Sequence, residues 1–209
     1  MELYADRVNA GRSLAATAEV RGLGADVLVL GLPRGGVIVA AEVARALGAP
    51  LDLLVVRKIG APDNPEYAIG AVDRDGVTVG EPARYASAEY VVAETDAQRL
   101  EIVRREDAYR AGRPPLAVEG RCVLLVDDGV ATGLTALAAV GWLRRHGASR
   151  VVVAAPVAAP DAVRSLAAAG AEVIAADTPV DFRAVGQAYR RFDQTTDAEV
   201  LAALGNASP

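Results

Sequence analysis

Runs of consecutive apolar residues alternate along this chain with stretches in which apolar positions recur every three to four residues. The first pattern predicts buried strands and the second predicts helices with one face on a core. Residues 6–20 read as a helix, with Asp6 as candidate N-cap and Gly22 and Gly24 closing it. Residues 25–31 (ADVLVLG) form a short apolar strand, which runs into Leu32-Pro33-Arg34-Gly35-Gly36 and then a helical stretch over 37–47 stopped by Gly48. Residues 51–56 (LDLLVV) are a second buried strand. Strand, helix and strand within about 30 residues make a βαβ unit, which requires parallel strands and a right-handed crossover.

Residues 57–87 break the rhythm. They hold Pro62, Pro65 and Pro82 and little helical periodicity, and residues 68–72 and 76–80 flank Asp73-Arg74-Asp75-Gly76, a hairpin signal. Helical spacing returns over 88–112, with Glu101 and Arg105 one turn apart on the polar face and Pro114-Pro115 ending it. The βαβ pattern then resumes: strand 123–126, a glycine-rich turn, helix 134–145, strand 150–155, helix 161–169 and strand 172–176. From Asp177 onward polar residues increase, with Phe182, Tyr189 and Phe192 among them. The expected architecture is an α/β fold, a doubly wound parallel sheet with helices on both faces. Residues 1–176 make the core with its N-terminal helix and a flexible loop over 57–87, and 177–209 form a small lobe of the same domain.

Composition narrows the function classes. An apolar fraction of 52% and a net charge of −5, with no continuous Lys/Arg stripe, do not fit a dedicated nucleic-acid binder. No apolar run approaches the roughly 18 residues of a membrane span, and no basic-then-apolar leader opens the chain. A cytoplasmic protein without nucleic-acid or membrane partners is the expectation. The single cysteine, Cys122, opens an apolar strand and reads as a small buried hydrophobe. Lys58 is the one lysine among 22 Lys and Arg residues, which makes its position informative.

The sharpest feature is the stretch 123–135, VLLVDDGVATGLT. Four apolar residues end in Asp127 and Asp128, and in open parallel sheets ligands bind at that end of the strands. The following turn of small residues lets backbone N–H groups approach a phosphate at a helix N-terminus, while Thr132 and Thr135 offer hydroxyls. Adjacent carboxylates repel a phosphate, so they suit hydroxyls or a hydrated Mg²⁺. The implied ligand carries a phosphate at one end and vicinal hydroxyls in the middle, as ribose 5-phosphate does. Leu134 stands where an ATP-binding loop needs lysine, and no G-x-G-x-x-G follows the first strand, so ATPase and dinucleotide-binding readings fail.

This 13-residue stretch resembles the signature of type I phosphoribosyltransferases, closest to the adenine and uracil branches. The resemblance implies transfer of the 5-phosphoribosyl group from phosphoribosyl pyrophosphate to a nitrogen acceptor such as a nucleobase, with release of pyrophosphate. It implies a 5′-phosphate loop at Gly129, Val130, Ala131, Thr132, Gly133, Leu134 and Thr135, and ribose and Mg²⁺ contacts, through water, at Asp127 and Asp128. Pro33, Arg34, Gly35 and Gly36 are similar to the family's pyrophosphate-binding loop. Arg57 and Lys58, at the mouth of the expected mobile loop, would act on the departing pyrophosphate. Ala131 stands where enzymes acting on 6-oxopurines carry an aspartate, which argues against those bases. Glu66-Tyr67 is faintly similar to a pair in adenine enzymes. The lobe is the candidate hood, with Phe182, Tyr189 or Phe192 available to stack on a base, while packing of the lobe onto the sheet is the stronger explanation for at least two of them. His146 and Trp142 read as a helix end and a core residue. A homodimer is expected by the same resemblance. Two rivals share the fold: a regulator that binds phosphoribosyl pyrophosphate without catalysis, and the diphosphokinase that makes it, which needs a longer chain and an ATP loop not seen here.

Overall fold

Asp6 caps the first helix, α1 (Arg7–Ala15), its carboxylate accepting the amide of Asn9 at 2.9 Å. The computed structural model describes residues 3–206. Where one helix was expected over 6–20, Thr17 starts a second, α2 (Ala18–Arg21), by accepting the Val20 amide through its hydroxyl. Then come β1 (Leu28–Gly31), α3 (Gly35–Leu47) and β2 (Leu51–Leu53). Gly48 ends α3 in the left-handed conformation at φ 65°.

The segment read as a loop with a hairpin is a three-stranded antiparallel sheet of β3 (Arg57–Ala61), β4 (Asn64–Val72) and β5 (Thr78–Gly80). The expected hairpin is β4–β5, and its turn holds Gly76 at φ 85°. Pro65 is accommodated because the β3–β4 register shifts beside it, at Gly60. A Cβ at Gly60 would run into the Pro65 backbone.

After the short α4 (Pro82–Tyr85), Ser87 caps α5 (Ala88–Arg110), along which Arg105 Nε meets Glu101 Oε1 at 2.7 Å as the spacing predicts. Ala111 and Gly112, both at positive φ, stop this helix before the prolines are reached. There follow β6 (Cys122–Val126), α6 (Leu134–Arg145), β7 (Arg150–Val157), α7 (Pro160–Ala168) and β8 (Glu172–Asp177). A 3₁₀ turn (Val185–Ala188) and α8 (Asp197–Asn206) complete the described chain.

The main sheet is parallel, in the order β2-β1-β6-β7-β8. Alternate residues face opposite layers. Leu28, Leu30, Val123, Leu125, Val151 and Val153 pack with α6 and α7, whereas Val29, Leu124, Val126, Val152 and Ala154 pack with α1, α2 and α3. The doubly wound fold is therefore as expected. The small sheet joins α5 and α8 in a third cluster around Ile59, Ile102 and Tyr109.

Residues 177–206 pack on the core. Phe182, Ala188 and Tyr189 lie in the same cluster as β6, and Val200 and Leu204 pack against Val37 and Leu53. Tyr4 and Tyr189 form a parallel bridge, which draws this segment back to the start of the chain. No described helix is long and apolar enough to cross a membrane.

Candidate functional site

The crossover from β1 leads to one side of the sheet and that from β6 to the other, so the loops following these two neighbouring strands diverge. That divergence opens a crevice at their C-terminal ends, where doubly wound folds hold ligands. A cleft of about 470 Å³ occupies it. Pro33, Arg34 and Gly35 line one wall and the residues from Asp127 to Gly133, together with Thr135, line the other.

The acid pair is positioned by its strand. Four fully buried residues of β6 bring Asp127 and Asp128 to the cleft floor. Asp127 Oδ1 accepts the Asp128 amide at 2.9 Å. Asp128 Oδ2 accepts from Arg7 Nε at 2.7 Å, and its backbone carbonyl accepts from the Tyr189 hydroxyl. Burial pushes the Asp127 carboxyl well above the ordinary carboxylate range, with the charge of Asp128 adding to it and that of Lys58 opposing. Burial raises Asp128 as well, against the guanidinium of Arg7.

The turn after the pair is fixed from below. The Val130 amide donates to Val157 and the Val130 carbonyl accepts from Ala159, at 2.9 and 2.8 Å. Gly133, at φ 78°, then turns the chain into α6. The first turn of an α-helix lacks intrahelical partners for its amides, and here Thr132, Gly133, Thr135 and Ala136 face the cleft. The arrangement is an anion seat beside a carboxylate pair.

Gly35 and Gly36 contribute by being small. A Cβ on Gly35 would overlap the Asp128 carboxylate, and one on Gly36 would lie 2.8 Å from the Val126 carbonyl oxygen. The loop after β1 is thus pressed against the acid pair. Its Pro33–Arg34 peptide is cis. Arg34 lines the cleft and also faces Asp197 of α8 at 3.6 Å. Gly36 and Leu134 are not on the cleft wall: Gly36 lies behind it, and Leu134 packs at the margin of the core.

Lys58 reaches the cleft and Arg57 does not. The two diverge because successive side chains of β3 point to opposite faces. Arg57 is half-buried and donates from Nε to Gln98 Oε1 of α5 at 2.7 Å.

The aromatic residues are also placed differently from one of the readings offered for them. Among the described residues no aromatic side chain lines the cleft. Phe182 and Tyr189 are core residues, and Phe192 stacks on Tyr189 with centroids 5.0 Å apart while Arg7 covers its ring at 4.0 Å. Arg183, Ala184 and Val185 complete the cleft lining, Val185 lying beside Gly129. Tyr67 is exposed and meets Tyr85 edge-on, while the side chain of Glu66 lies outside the described residues. His146 stacks on Trp142 at the end of α6, away from the cleft. Sequence reasoning missed Arg7 and residues 183–185, and named Tyr189 without its bond to Asp128. A strand-end acid pair advertises itself, but an arginine one residue past a helix cap carries no local signal.

The phosphoribosyl transferase domain model matches residues 7–168 of the chain. A Mycobacterium tuberculosis protein carrying the name "Putative phosphoribosyl transferase" is 48% identical over 212 residues, covering 99% of this chain and 47% of its own length. The chain therefore spans about half the length of the curated relatives it matches. The crystal structure of TT1426 from Thermus thermophilus is 49% identical, with 98% of each chain covered and a TM-score of 0.79. A hypothetical protein from Neisseria gonorrhoeae, solved with bound ppGpp, shares the fold at 15% identity, with 97% of each chain covered and a TM-score of 0.53.

Proposed function

Because the chain belongs to the phosphoribosyl transferase domain family, we propose that it moves the 5-phosphoribosyl group from phosphoribosyl pyrophosphate to a nitrogen acceptor, releasing pyrophosphate. One observation carries the reading: an acid pair, a helix-start anion seat and the chain's one lysine line a single cleft. Thr132, Thr135 and the first-turn amides of α6 hold the 5′-phosphate. Asp127 and Asp128 receive the ribose hydroxyls and fix the sugar between the two anionic ends of the ligand. Arg34, the backbone at Gly35 and Lys58 take the pyrophosphate, whose negative charge grows as its bond to C1 lengthens. The sugar carbon becomes positive in the same step, and the carboxylates beneath it favour that charge. The acceptor is a base or amine other than a 6-oxopurine, entering beside residues 183–185 without an aromatic platform.

Mg²⁺ fits this donor set. Asp127 Oδ1 and Asp128 Oδ2 are engaged by protein donors. Among the described residues no group of three or more His, Cys, Asp or Glu forms a protein cage. An ion that keeps waters and shares substrate oxygens suits two such carboxylates. When bound with pyrophosphate it supplies charge neutralisation for the leaving group.

Calorimetry with Mg²⁺ and phosphoribosyl pyrophosphate tests the proposal. The wild type binds, and the double variant Asp127→Ala, Asp128→Ala does not; no binding by the wild type overturns the reading. Pyrophosphate release is then followed over a panel of nucleobases and other amines. Release with any acceptor establishes transfer, whereas tight binding with no release identifies a sensor of the ligand.

A further inference from the structure

Asp128 is held at three of its polar atoms. Its amide donates to Asp127, its carbonyl accepts from Tyr189, and its Oδ2 accepts from Arg7. The Asp128 and Asp127 side chains are also hydrogen-bonded to each other. Arg7 itself is anchored on the side away from the cleft. Its Nη1 donates to the Asp193 carbonyl at 2.8 Å, and its guanidinium lies 4.0 Å from the centre of the Phe192 ring. The Arg7 and Asp128 side chains are each only 14% exposed. A guanidinium held by a carboxylate, a carbonyl and a ring face has little freedom to swing away, and its planar fork fixes the direction of each bond.

We propose that Arg7 is a positioning residue for the sugar: by pinning Oδ2 of Asp128 it fixes the direction in which that carboxylate meets a ribose hydroxyl, and so sets the rotation of the ribose in the cleft. This rests on the reading of Asp128 as a ribose contact. Arg7 does not line the cleft. It acts through Asp128, and the first helix is thereby part of the sugar site rather than a cover for the sheet. Lysine at this position keeps the charge but cannot bond Asp128 and Asp193 while lying flat on Phe192. A purely electrostatic role would therefore survive Arg7→Lys, and a positioning role would not.

The test compares two ligands that share pyrophosphate and differ in the sugar. Phosphoribosyl pyrophosphate and inorganic pyrophosphate, each with Mg²⁺, are titrated by calorimetry into the wild type, Arg7→Lys and Arg7→Gln. A lost hydrogen bond to a charged group corresponds to an affinity loss of about tenfold or more. Both variants are expected to lose that much for phosphoribosyl pyrophosphate and less than about twofold for pyrophosphate. A sugar analogue lacking the ribose hydroxyls should bind the wild type and Arg7→Lys alike. Equal losses for both ligands would show that Arg7 merely supports the cleft, and full rescue by lysine would show that only its charge matters; either overturns the proposal. Should Arg7→Gln fail to fold, Phe192→Leu, which removes the ring beneath the guanidinium but keeps Arg7, is read by the same ratio. A wild type that binds pyrophosphate but not the sugar ligand overturns the phosphoribosyl reading itself, a result distinct from unchanged ratios in the variants.

Discussion

Gly35 and Asp128, on loops that follow different strands, approach so closely that a single methyl group on the glycine would overlap the carboxylate and lie 2.5 Å from Arg7 Nε. The glycine is required here by space, not by backbone conformation, since its φ is not positive. Gly35→Ala should therefore displace the Asp128–Arg7 pair. The expected outcome is a stability loss of about 1–3 kcal/mol, the usual range for overpacking, together with loss of phosphoribosyl pyrophosphate binding. Gly48→Ala is the control. Its φ of 65° disfavours a side chain, but nothing lies within 4 Å. It should cost on the order of 1 kcal/mol and leave binding intact. Melting curves and calorimetry on both variants decide the matter.

Asp127 should make the ligand-free protein less stable as pH rises. Its carboxyl is raised in the folded state, first by burial and then by Asp128. Between the ordinary carboxylate value and the raised one, the folded protein binds a proton that the unfolded chain does not. Stability contributed by that proton is present at acidic pH and is lost as pH rises through the folded value. Asp127→Asn keeps an oxygen for the Asp128 amide and removes the buried charge. Its melting temperature at neutral pH should exceed that of the wild type while ligand binding falls away. A variant that melts lower at neutral pH than the wild type would contradict this account.

Arg57 and Lys58 are neighbours in sequence with different destinations. Lys58→Ala should weaken pyrophosphate binding by about tenfold or more, the consequence of losing a charged donor. Arg57→Ala should leave that affinity unchanged and cost about 1 kcal/mol of stability through its bond to Gln98. Parallel titrations and denaturant midpoints separate the two effects. Equal losses of affinity would mean that Arg57 also reaches the ligand.

The fold should rest on β6 more than on the exposed apolar positions of α5. Leu125 is fully buried and packs against the layer of α6 and α7. Leu125→Ala should cost about 2–5 kcal/mol. Leu100, 74% exposed, should tolerate alanine within about 0.5 kcal/mol. Urea unfolding of the two variants reports the contrast directly.

The legibility of this chain followed the density of its apolar pattern. β6 and the start of α6 at Leu134 could be read directly, because four consecutive apolar residues, two acids and a glycine-rich turn leave few alternatives. β3 could not, since Arg57, Lys58 and Gly60 dilute the pattern around one large apolar residue, Ile59, and partners on β4 hold the strand. Missing that strand also hid the alternation that sends Arg57 and Lys58 apart. Thr17 passed for an interior helix position when it in fact caps a new helix. Phe182 and Tyr189 sit in a polar stretch where packing could be expected for two of the three rings, but only the tertiary structure says which two. Arg7 was beyond reach for a simpler reason: its partner is 121 residues away.

That separation has a bearing on when the proposed sugar site is completed. Arg7 bridges Asp128 and Asp193, the latter 186 residues further along the chain. During synthesis the acid pair can emerge and its strand can pair long before residue 193 leaves the ribosome. Until then Asp128 lacks the donors from Arg7 in its final seat and from Tyr189. On the proposed reading, the ribose contact at Asp128 is therefore completed only after residues 189–193 have been made and have packed against Arg7 and Asp128.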